Sequence, residues 1–222
     1  MYEPVELGTI AGRFSALYTG VLADCLDRRG YLHQTLPPEI APLRRGMKLA
    51  GPAYPVEGRP RPGHDYDTSI RKILGMLGSV PPGHVAVYQT HDHACAQLGE
   101  LSVTSLKAKG AAGAVLEGGC RDVEFVLRED FPVFARFVSP QDSVPRWELL
   151  AHGDVTVVVG GVRVAPGDWV VGDADGVVVV PGEVLVEVLE DAEGKASVEN
   201  EIRDAVRAGT APLDAYDRFG TF

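Results

Sequence analysis

Arg121 and Asp122 stand side by side just after Gly118-Gly119-Cys120, and Gly99-Glu100-Leu101-Ser102 opens a short run upstream of them. Each residue type there has a chemical use. A guanidinium is planar and grips a carboxylate through two parallel hydrogen bonds, which an ammonium cannot imitate. The start of a helix offers free N–H groups to an anion. A carboxylate left beside them can hold a cation. The stretch 99–122 can therefore seat an anion between backbone amides and Arg121, with Asp122 available for a cation. Each residue also has a plainer use. Asp122 can cap a helix, Arg121 can pair with Glu124 or Glu117, and Glu100 can complement a helix dipole.

The elements that position these groups follow from patterning. Gly99 and Glu100 open a helix that ends at Lys107 and Lys109, with Gly110 just after as a charge-matched stop. Ala114-Val115-Leu116 is a short apolar strand, Gly118-Gly119 a turn, and Asp122 the start of another short helix with Phe125 and Val126 on its inner face. Ligands of open α/β sheets bind beyond the carboxyl ends of the strands. Upstream, residues 11–18 have helical spacing and Thr19 N-caps a second helix to Leu26, closed by Gly30. Residues 47–56 form a strand despite Pro52, and 57–64, rich in Pro, Gly and Arg, a mobile loop. Ile70, Ile73, Leu74 and Leu77 have helical spacing, and 85–88 form a strand. Downstream come the strand Pro132-Val133-Phe134-Ala135 and Val-rich runs at 155–159, 162–164, 169–171 and 177–180. Gly160-Gly161, Pro166-Gly167-Asp168 and Asp173-Ala174-Asp175-Gly176 separate these runs, a pattern of β-hairpins or a small barrel. A long C-terminal helix through Leu185, Leu189, Ala192 and Ile202 and a short one over 213–219 close the chain.

Bulk composition bounds the function. The 222 residues are 45% apolar and 23% charged, ordinary for a globular protein. With 31 acidic and 21 basic residues the net charge is −10, which argues against a general electrostatic grip on nucleic acid or an anionic membrane. There is no apolar leader after Met1 and no membrane-length apolar run. Cys25, Cys95 and Cys120 are scattered and odd in number, as expected of reduced cysteines in a cytoplasmic protein. One domain over 1–222, with a C-terminal helical extension from about 182, is the expected organisation.

The motifs resemble the RraA-like family. Gly99-Glu100-Leu101, Gly113-Ala114-Val115-Leu116 and Gly118-Gly119-Cys120-Arg121-Asp122 carry the resemblance. Pro132-Val133-Phe134-Ala135-Arg136, Ser139-Pro140, Val164-Ala165-Pro166-Gly167-Asp168, the run from Gly172-Asp173 to Val180-Pro181, and Glu199-Asn200-Glu201-Ile202-Arg203 extend it. The family includes metal-dependent 4-hydroxy-4-methyl-2-oxoglutarate / 4-carboxy-4-hydroxy-2-oxoadipate aldolases and the regulator of ribonuclease E activity A. It also includes proteins long mislabelled as menaquinone methyltransferases. The resemblance implies an α/β fold of the β/β/α swivelling type, a homotrimer or hexamer with active sites between subunits, and a small 2-oxo acid as substrate. It implies that Arg121 binds the pyruvyl carboxylate and oxo group and that Asp122 holds Mg²⁺, Mn²⁺ or another divalent cation largely through waters. Gly99, Leu101 and Ser102 would bind substrate, the last two through backbone amides. Glu100 would lie near the metal-bound waters, and Glu199 or Glu201 would arrive from a neighbouring C-terminal helix. Two departures, Ser102 where the family often has leucine and Glu117-Gly118-Gly119 where it often has Asp-Gly-Ala, point to a subgroup with its own substrate.

The chemistry so implied is consistent with the residue types. Retro-aldol cleavage of a 4-hydroxy-2-oxo dicarboxylate and decarboxylation of oxaloacetate both break a C–C bond and leave pyruvate enolate. A divalent cation stabilises the charge that builds on oxygen, and Mg²⁺ needs only one or two carboxylates. A metal-bound water held by Glu100 would serve as base for the aldol substrate. The alternative is a non-catalytic protein that binds and regulates an RNA-degrading enzyme. A Schiff-base aldolase is disfavoured because Lys48, Lys72, Lys107, Lys109 and Lys195 all lie outside the motif. His91-Asp92-His93 is a rival metal signal without a third clear ligand. Asp173-Ala174-Asp175-Gly176 mimics a calcium loop, but Val184 stands where the bidentate glutamate is needed. Asp142, Arg146 and Trp147 can line the site or seal an interface, and the interface is preferred. No Rossmann, P-loop or nucleophile-elbow pattern occurs.

Overall fold

The computed structural model describes residues 4–63 and 65–222; His64, the end of the expected mobile loop, lies outside them. In chain order the elements are α1 (Pro4–Ser15), α2 (Thr19–Asp27), β1 (Ala41–Pro42), β2 (Leu49–Pro60), α3 (Tyr66–Ser79), β3 (Val85–Gln89) and β4 (Ala96–Leu98). Then follow α4 (Glu100–Ala108), β5 (Gly113–Cys120), α5 (Val123–Arg128), β6 (Val133–Val138), β7 (Trp147–His152), β8 (Val157–Val159) and β9 (Val162–Val164). The chain closes with β10 (Trp169–Asp173), β11 (Gly176–Val180), α6 (Leu185–Arg207) and α7 (Pro212–Phe219).

The main sheet runs β1-β6-β5-β3-β2-β10-β11, with β4 on β5 and β7 on the far half of β2. Strands β2, β3, β5 and β6 are mutually parallel, while β10 and β11 pair antiparallel with β2 and with each other. The sheet nearly closes on itself. Leu36 N donates to Val177 O at 2.9 Å and Val179 N to Gln34 O at 2.8 Å. A few residues later the same segment becomes β1 and pairs with β6. The two outer edges of the sheet are thus bridged by one stretch of chain.

Strand alternation sorts the apolar residues into layers. Val85, Val87, Val115, Val170, Val177 and Val179 point into the barrel, where the β8–β9 hairpin packs its valines against them. Ala86, Tyr88, Ala114 and Leu116 face α3, α4 and α5. Trp169, Val171, Val178 and Val180 face α1, α2 and the first half of α6. Among the described residues, no helix is long and apolar enough to cross a membrane.

Several expectations are corrected. Residues 57–60 continue β2 and pair with β7, so the loop is shorter than its composition suggests. Gly118 and Gly119 are strand residues of β5, not a turn. A Cβ at Gly118 would lie 2.0 Å from Gln97 Oε1, and one at Gly119 would lie 2.5 Å from the Phe137 ring. Their smallness admits neighbours and does not serve to reverse the chain. The first helix starts at Pro4, well before residue 11. Thr19 does not cap α2; Tyr18 holds that position, and Thr19 donates through N and Oγ1 to Asp173 at 2.8 and 2.7 Å. Trp147 seals no surface: it is buried over Gly58, and its Nε1 donates to Thr90 O at 3.0 Å.

Candidate active site

Strand β5 ends at Cys120, and the chain then turns sharply. Asp122 adopts φ 56°, ψ 35°, a left-handed conformation uncommon outside glycine but tolerated by aspartate. The turn lets the Asp122 carbonyl accept the N–H groups of Phe125 and Val126 at 2.9 and 3.0 Å, which starts α5. The Asp122 side chain makes no capping bond to that helix. It reaches across to α4, where Oδ2 accepts Glu100 N at 3.2 Å. Arg121 N meanwhile donates to Leu98 O at 2.9 Å, tying the strand end to the residue before Gly99. Gly99 is required by this crossing. A Cβ there would sit 2.7 Å from Asp122 Oδ2 and about as close to the Arg121 side chain.

Arg121 and Asp122 line a cleft of about 450 Å³ together with Gly99, Glu100, Leu101 and Ser102. The expected groups are therefore brought together. The N–H groups of Leu101 and Ser102, in the first turn of α4, have no carbonyl one turn earlier to satisfy them, as at any helix start, and the helix dipole makes this end attractive to anions. Arg121 spans two carboxylates: its Nε is 3.5 Å from Asp122 Oδ2 and its Nη1 is 3.2 Å from Asp142 Oδ2. About a third of its side chain is exposed (35%), as is 44% of that of Asp122, so both remain open to a small ligand. Thr104 Oγ1 donates to Glu100 Oε1 at 3.4 Å, which leaves the other carboxylate oxygen of Glu100 in the half-buried first turn.

Two contributions to this cleft differ from the reading the sequence favoured. Asp142, assigned there to an interface, lies in the cleft against Arg121. The isolated bridge between Ala96 and Asp142 brings it there, with Ala96 N donating to Gln141 O at 2.8 Å and Ser143 N to Ala96 O at 3.1 Å. The second is an apolar wall from α3 and α5. Phe125, expected on the inner face of α5, is 55% exposed and faces the cleft, while Val126 takes the core. Periodicity alone gave Ile70, Ile73, Leu74 and Leu77, but not that one side of that stripe stays open.

Glu199 does not line the cleft of its own chain. It receives the Tyr18 hydroxyl and lies 3.7 Å from Lys195 Nζ, on the part of α6 that packs near α2. Glu201 is exposed on the same helix. The rival histidines are not gathered into a metal centre. His91 pairs with the side chain of Gln89, His93 is exposed, and Asp92 Oδ1 accepts Ala94 N and Cys95 N at 2.7 and 2.8 Å as a loop cap. Among the described residues, no three His, Cys, Asp or Glu side chains converge as metal ligands. The donor set at the cleft, the partly exposed Asp122 carboxylate with that of Glu100 nearby, fits a hard divalent cation that keeps most of its waters, such as Mg²⁺ or Mn²⁺.

Cys120 directly precedes this pair. Burial, and then the Asp122 charge, push its thiol up to about 12. Cys95 is pushed up to about 12 as well, by burial and then by its hydrogen bond with Asp92. Both thiols stay protonated at neutral pH and are unsuited to act as nucleophiles.

Comparison with known proteins agrees with this fold. Residues 19–179 match the family model described as RraA-like, Aldolase/RraA. Protein DlpA of Legionella pneumophila is 28% identical over 199 residues, 89% of this chain but only 32% of the Legionella protein, so the chain spans about a third of that relative. A Halalkalibacterium halodurans protein named "Putative 4-hydroxy-4-methyl-2-oxoglutarate aldolase" is 29% identical over 92% of this chain and 91% of its own length. Among solved structures, Streptomyces coelicolor RraAS2, described as an unusual member of the RNase ES inhibitor RraA protein family, superposes with a TM-score of 0.78. It is 30% identical over 88% of this chain and 96% of that one. On its fold, its Arg-Asp cleft and the match over most of its length, the chain belongs to the RraA-like family.

Proposed function

We propose that this protein is a divalent-metal-dependent lyase that releases pyruvate, by retro-aldol cleavage of a 4-hydroxy-2-oxo acid or by decarboxylation of oxaloacetate. The observation that carries the reading is the convergence of the Arg121 guanidinium, the Asp122 carboxylate and the first turn of α4 on one cleft. In this reading the substrate 1-carboxylate is bound by Arg121 and the N–H groups of Leu101 and Ser102. Mg²⁺, Mn²⁺ or another divalent cation held by Asp122 supplies Lewis-acid stabilisation of charge at the 2-oxo oxygen when bound. Arg121 contributes a second positive charge to the same oxygen, fixed in advance by Asp142. The C3–C4 bond breaks, its electron pair passes into pyruvate enolate, and C3 later takes a proton to give pyruvate. In the aldol case Glu100 accepts the 4-hydroxyl proton and an aldehyde or oxo product leaves; in decarboxylation CO₂ leaves and no base is needed.

The test is pyruvate release from oxaloacetate and from 4-hydroxy-4-methyl-2-oxoglutarate, with Mg²⁺ and with EDTA. Release that EDTA abolishes and that Arg121→Ala lowers about a thousandfold supports the proposal; unchanged turnover in that variant overturns the site. The likeness to the Streptomyces inhibitor-family protein favours the second reading, a non-catalytic regulator of an RNA-degrading enzyme. A metal-saturated protein that releases no pyruvate from either compound would support it. A glutamate from the C-terminal helix of a neighbouring copy, Glu199 or Glu201, belongs to the first reading, together with a homotrimer or hexamer. A loss of activity on Glu199→Gln, with the oligomer intact in sedimentation, would support that arrangement.

A further inference from the structure

Resting on the pyruvate-lyase reading, the contact between Asp142 and Arg121 has a further use. We propose that Asp142 is a positioning residue that restrains the Arg121 guanidinium for turnover while weakening the binding of the substrate carboxylate, and that Arg146 holds Asp142 in place. Arg121 lies between two carboxylates, with Asp122 Oδ2 3.5 Å from its Nε and Asp142 Oδ2 3.2 Å from its Nη1. In the lyase reading Asp122 is committed to the divalent cation, so of the two it is Asp142 that stays available to Arg121 during the reaction. A guanidinium carries five N–H donors in a fixed fork, and one carboxylate at Nη1 leaves others for the substrate. The Arg121 side chain is long and 35% exposed, so what restrains it decides how often its donors meet the 2-oxo oxygen in the right geometry.

Each acceptor of Asp142 has its own partner. Oδ1 accepts Val144 N at 3.2 Å, which leaves Oδ2 to Arg121. The backbone carbonyl accepts Arg146 Nη1 at 3.1 Å. Arg146 N donates to Ser143 O at 2.6 Å, and Arg146 O accepts Arg61 N at 2.6 Å. The turn that carries Asp142 is thus suspended between β4, through Ala96, and the buried Trp147 at the start of β7, and the Arg146 side chain straps it across. All of these contacts lie within one chain, so they do not depend on what a neighbouring copy adds to the cleft. The Asp142 charge acts in two directions. It repels an incoming carboxylate of like sign, and it restrains the guanidinium that must meet the 2-oxo oxygen. Removing the charge should therefore strengthen binding and slow turnover.

Asp142→Asn removes the charge and keeps an oxygen for Val144 N, so the turn should persist. In the Mg²⁺-loaded protein this variant should lower kcat for oxaloacetate or 4-hydroxy-4-methyl-2-oxoglutarate by about tenfold to a hundredfold. It should tighten pyruvate binding, titrated calorimetrically, by about threefold. Arg146→Met leaves the Asp142 charge where it is. It should lower kcat by about threefold to tenfold and leave pyruvate affinity within about twofold of wild type. Arg146→Lys, which retains a donor for the Asp142 carbonyl, should recover most of that loss. A role confined to folding would lower activity and affinity together. Pyruvate binding that is not tightened in Asp142→Asn, or an unchanged kcat, overturns the assignment, and turnover by the wild type then leaves the lyase reading standing. Wild-type kcat in Arg146→Met removes Arg146 from the device. No pyruvate from either compound with the metal-saturated wild type removes the lyase reading and this inference with it.

Discussion

The parallel and antiparallel halves of the sheet use the same residue types for opposite ends. In the antiparallel half, carboxylates are consumed by backbone. Asp173, at the end of β10, accepts Thr19 N, Thr19 Oγ1 and Asp175 N at 2.8, 2.7 and 3.0 Å. Asp168 accepts Ala165 N and Gly182 N at 2.8 and 3.1 Å, and both aspartates are buried. In the parallel half, Asp122 spends one bond on Glu100 N and stays open, and Asp142 and Glu100 stand beside it in the cleft. The parallel connections account for the difference. Strands β2, β4 and β5 of that half each lead into a helix start, where N–H groups and loops accumulate. Tight hairpins leave no such space, and their aspartates are taken up by backbone donors of their own loops and of the segments packed against them, as Thr19 is against Asp173. An acidic residue in this fold is thus open or consumed according to how many backbone donors surround it.

The same isosteric change in the two halves should separate these roles. Asp122→Asn retains a residue that tolerates the left-handed conformation while removing the charge. It should lower pyruvate release about a thousandfold and leave stability within about 0.5 kcal/mol. Asp173→Asn should do the reverse. One side-chain oxygen becomes an NH₂ facing the Thr19 N–H in a buried site, which costs about 2–3 kcal/mol and lowers the melting temperature by roughly 5–10 °C, with activity of the folded fraction unchanged. Calorimetric melting and steady-state assays of both variants check this. Equal stability losses would dissolve the contrast.

A smaller effect tests whether the cleft depends on close backbone approach. Gly99→Ala places a Cβ 2.7 Å from Asp122 Oδ2, so the carboxylate must move by a few tenths of an ångström or more. Such misplacement should reduce kcat by roughly ten- to a hundredfold with little change in melting temperature, because φ −139° at Gly99 is accessible to any residue. Steady-state kinetics alongside a melt would check it; wild-type turnover in the alanine variant would mean that the crossing is loose.

The contrast also explains what the sequence could and could not reveal. The polar core of the site lies in two local motifs, 99–102 and 121–122, and a strand and a helix start bring them together, so residue type and spacing suffice. The valine runs of the antiparallel half are legible for the same reason, since β8 to β11 are local hairpins. What escaped depends on distant partners. The glycines of β5 read as a turn because the Gln97 and Phe137 side chains lying against them cannot be seen from the strand itself. Asp142 reaches Arg121 only through its bridge to Ala96. The strand expected over 47–56 despite Pro52 is present, but Pro52 and Pro55 sit in register with Trp169 and Val87 in a strand paired on both sides and not at an edge. The very short strands β1 and β4 carry no periodicity.

The smallest expected effect concerns the thiols of the parallel half. Cys95 and Cys120 ionise at about 12 in the folded protein, against an ordinary value of 9.0. A group whose folded value is raised favours the folded state fully below its unfolded value and loses that contribution as pH climbs towards the folded one. Stability should therefore be flat with respect to these thiols up to about pH 9 and decline between there and about 12. At pH 8, where unfolded thiols alkylate readily, the native protein should resist iodoacetamide at both positions, and labelling should follow the rate of global opening. Mass spectrometry of the labelled peptides distinguishes the two sites. Selective labelling of Cys120 in the native state, faster than unfolding, would mean that the end of β5 opens by itself. Arg121 and Asp122 would then sit on a mobile strand end.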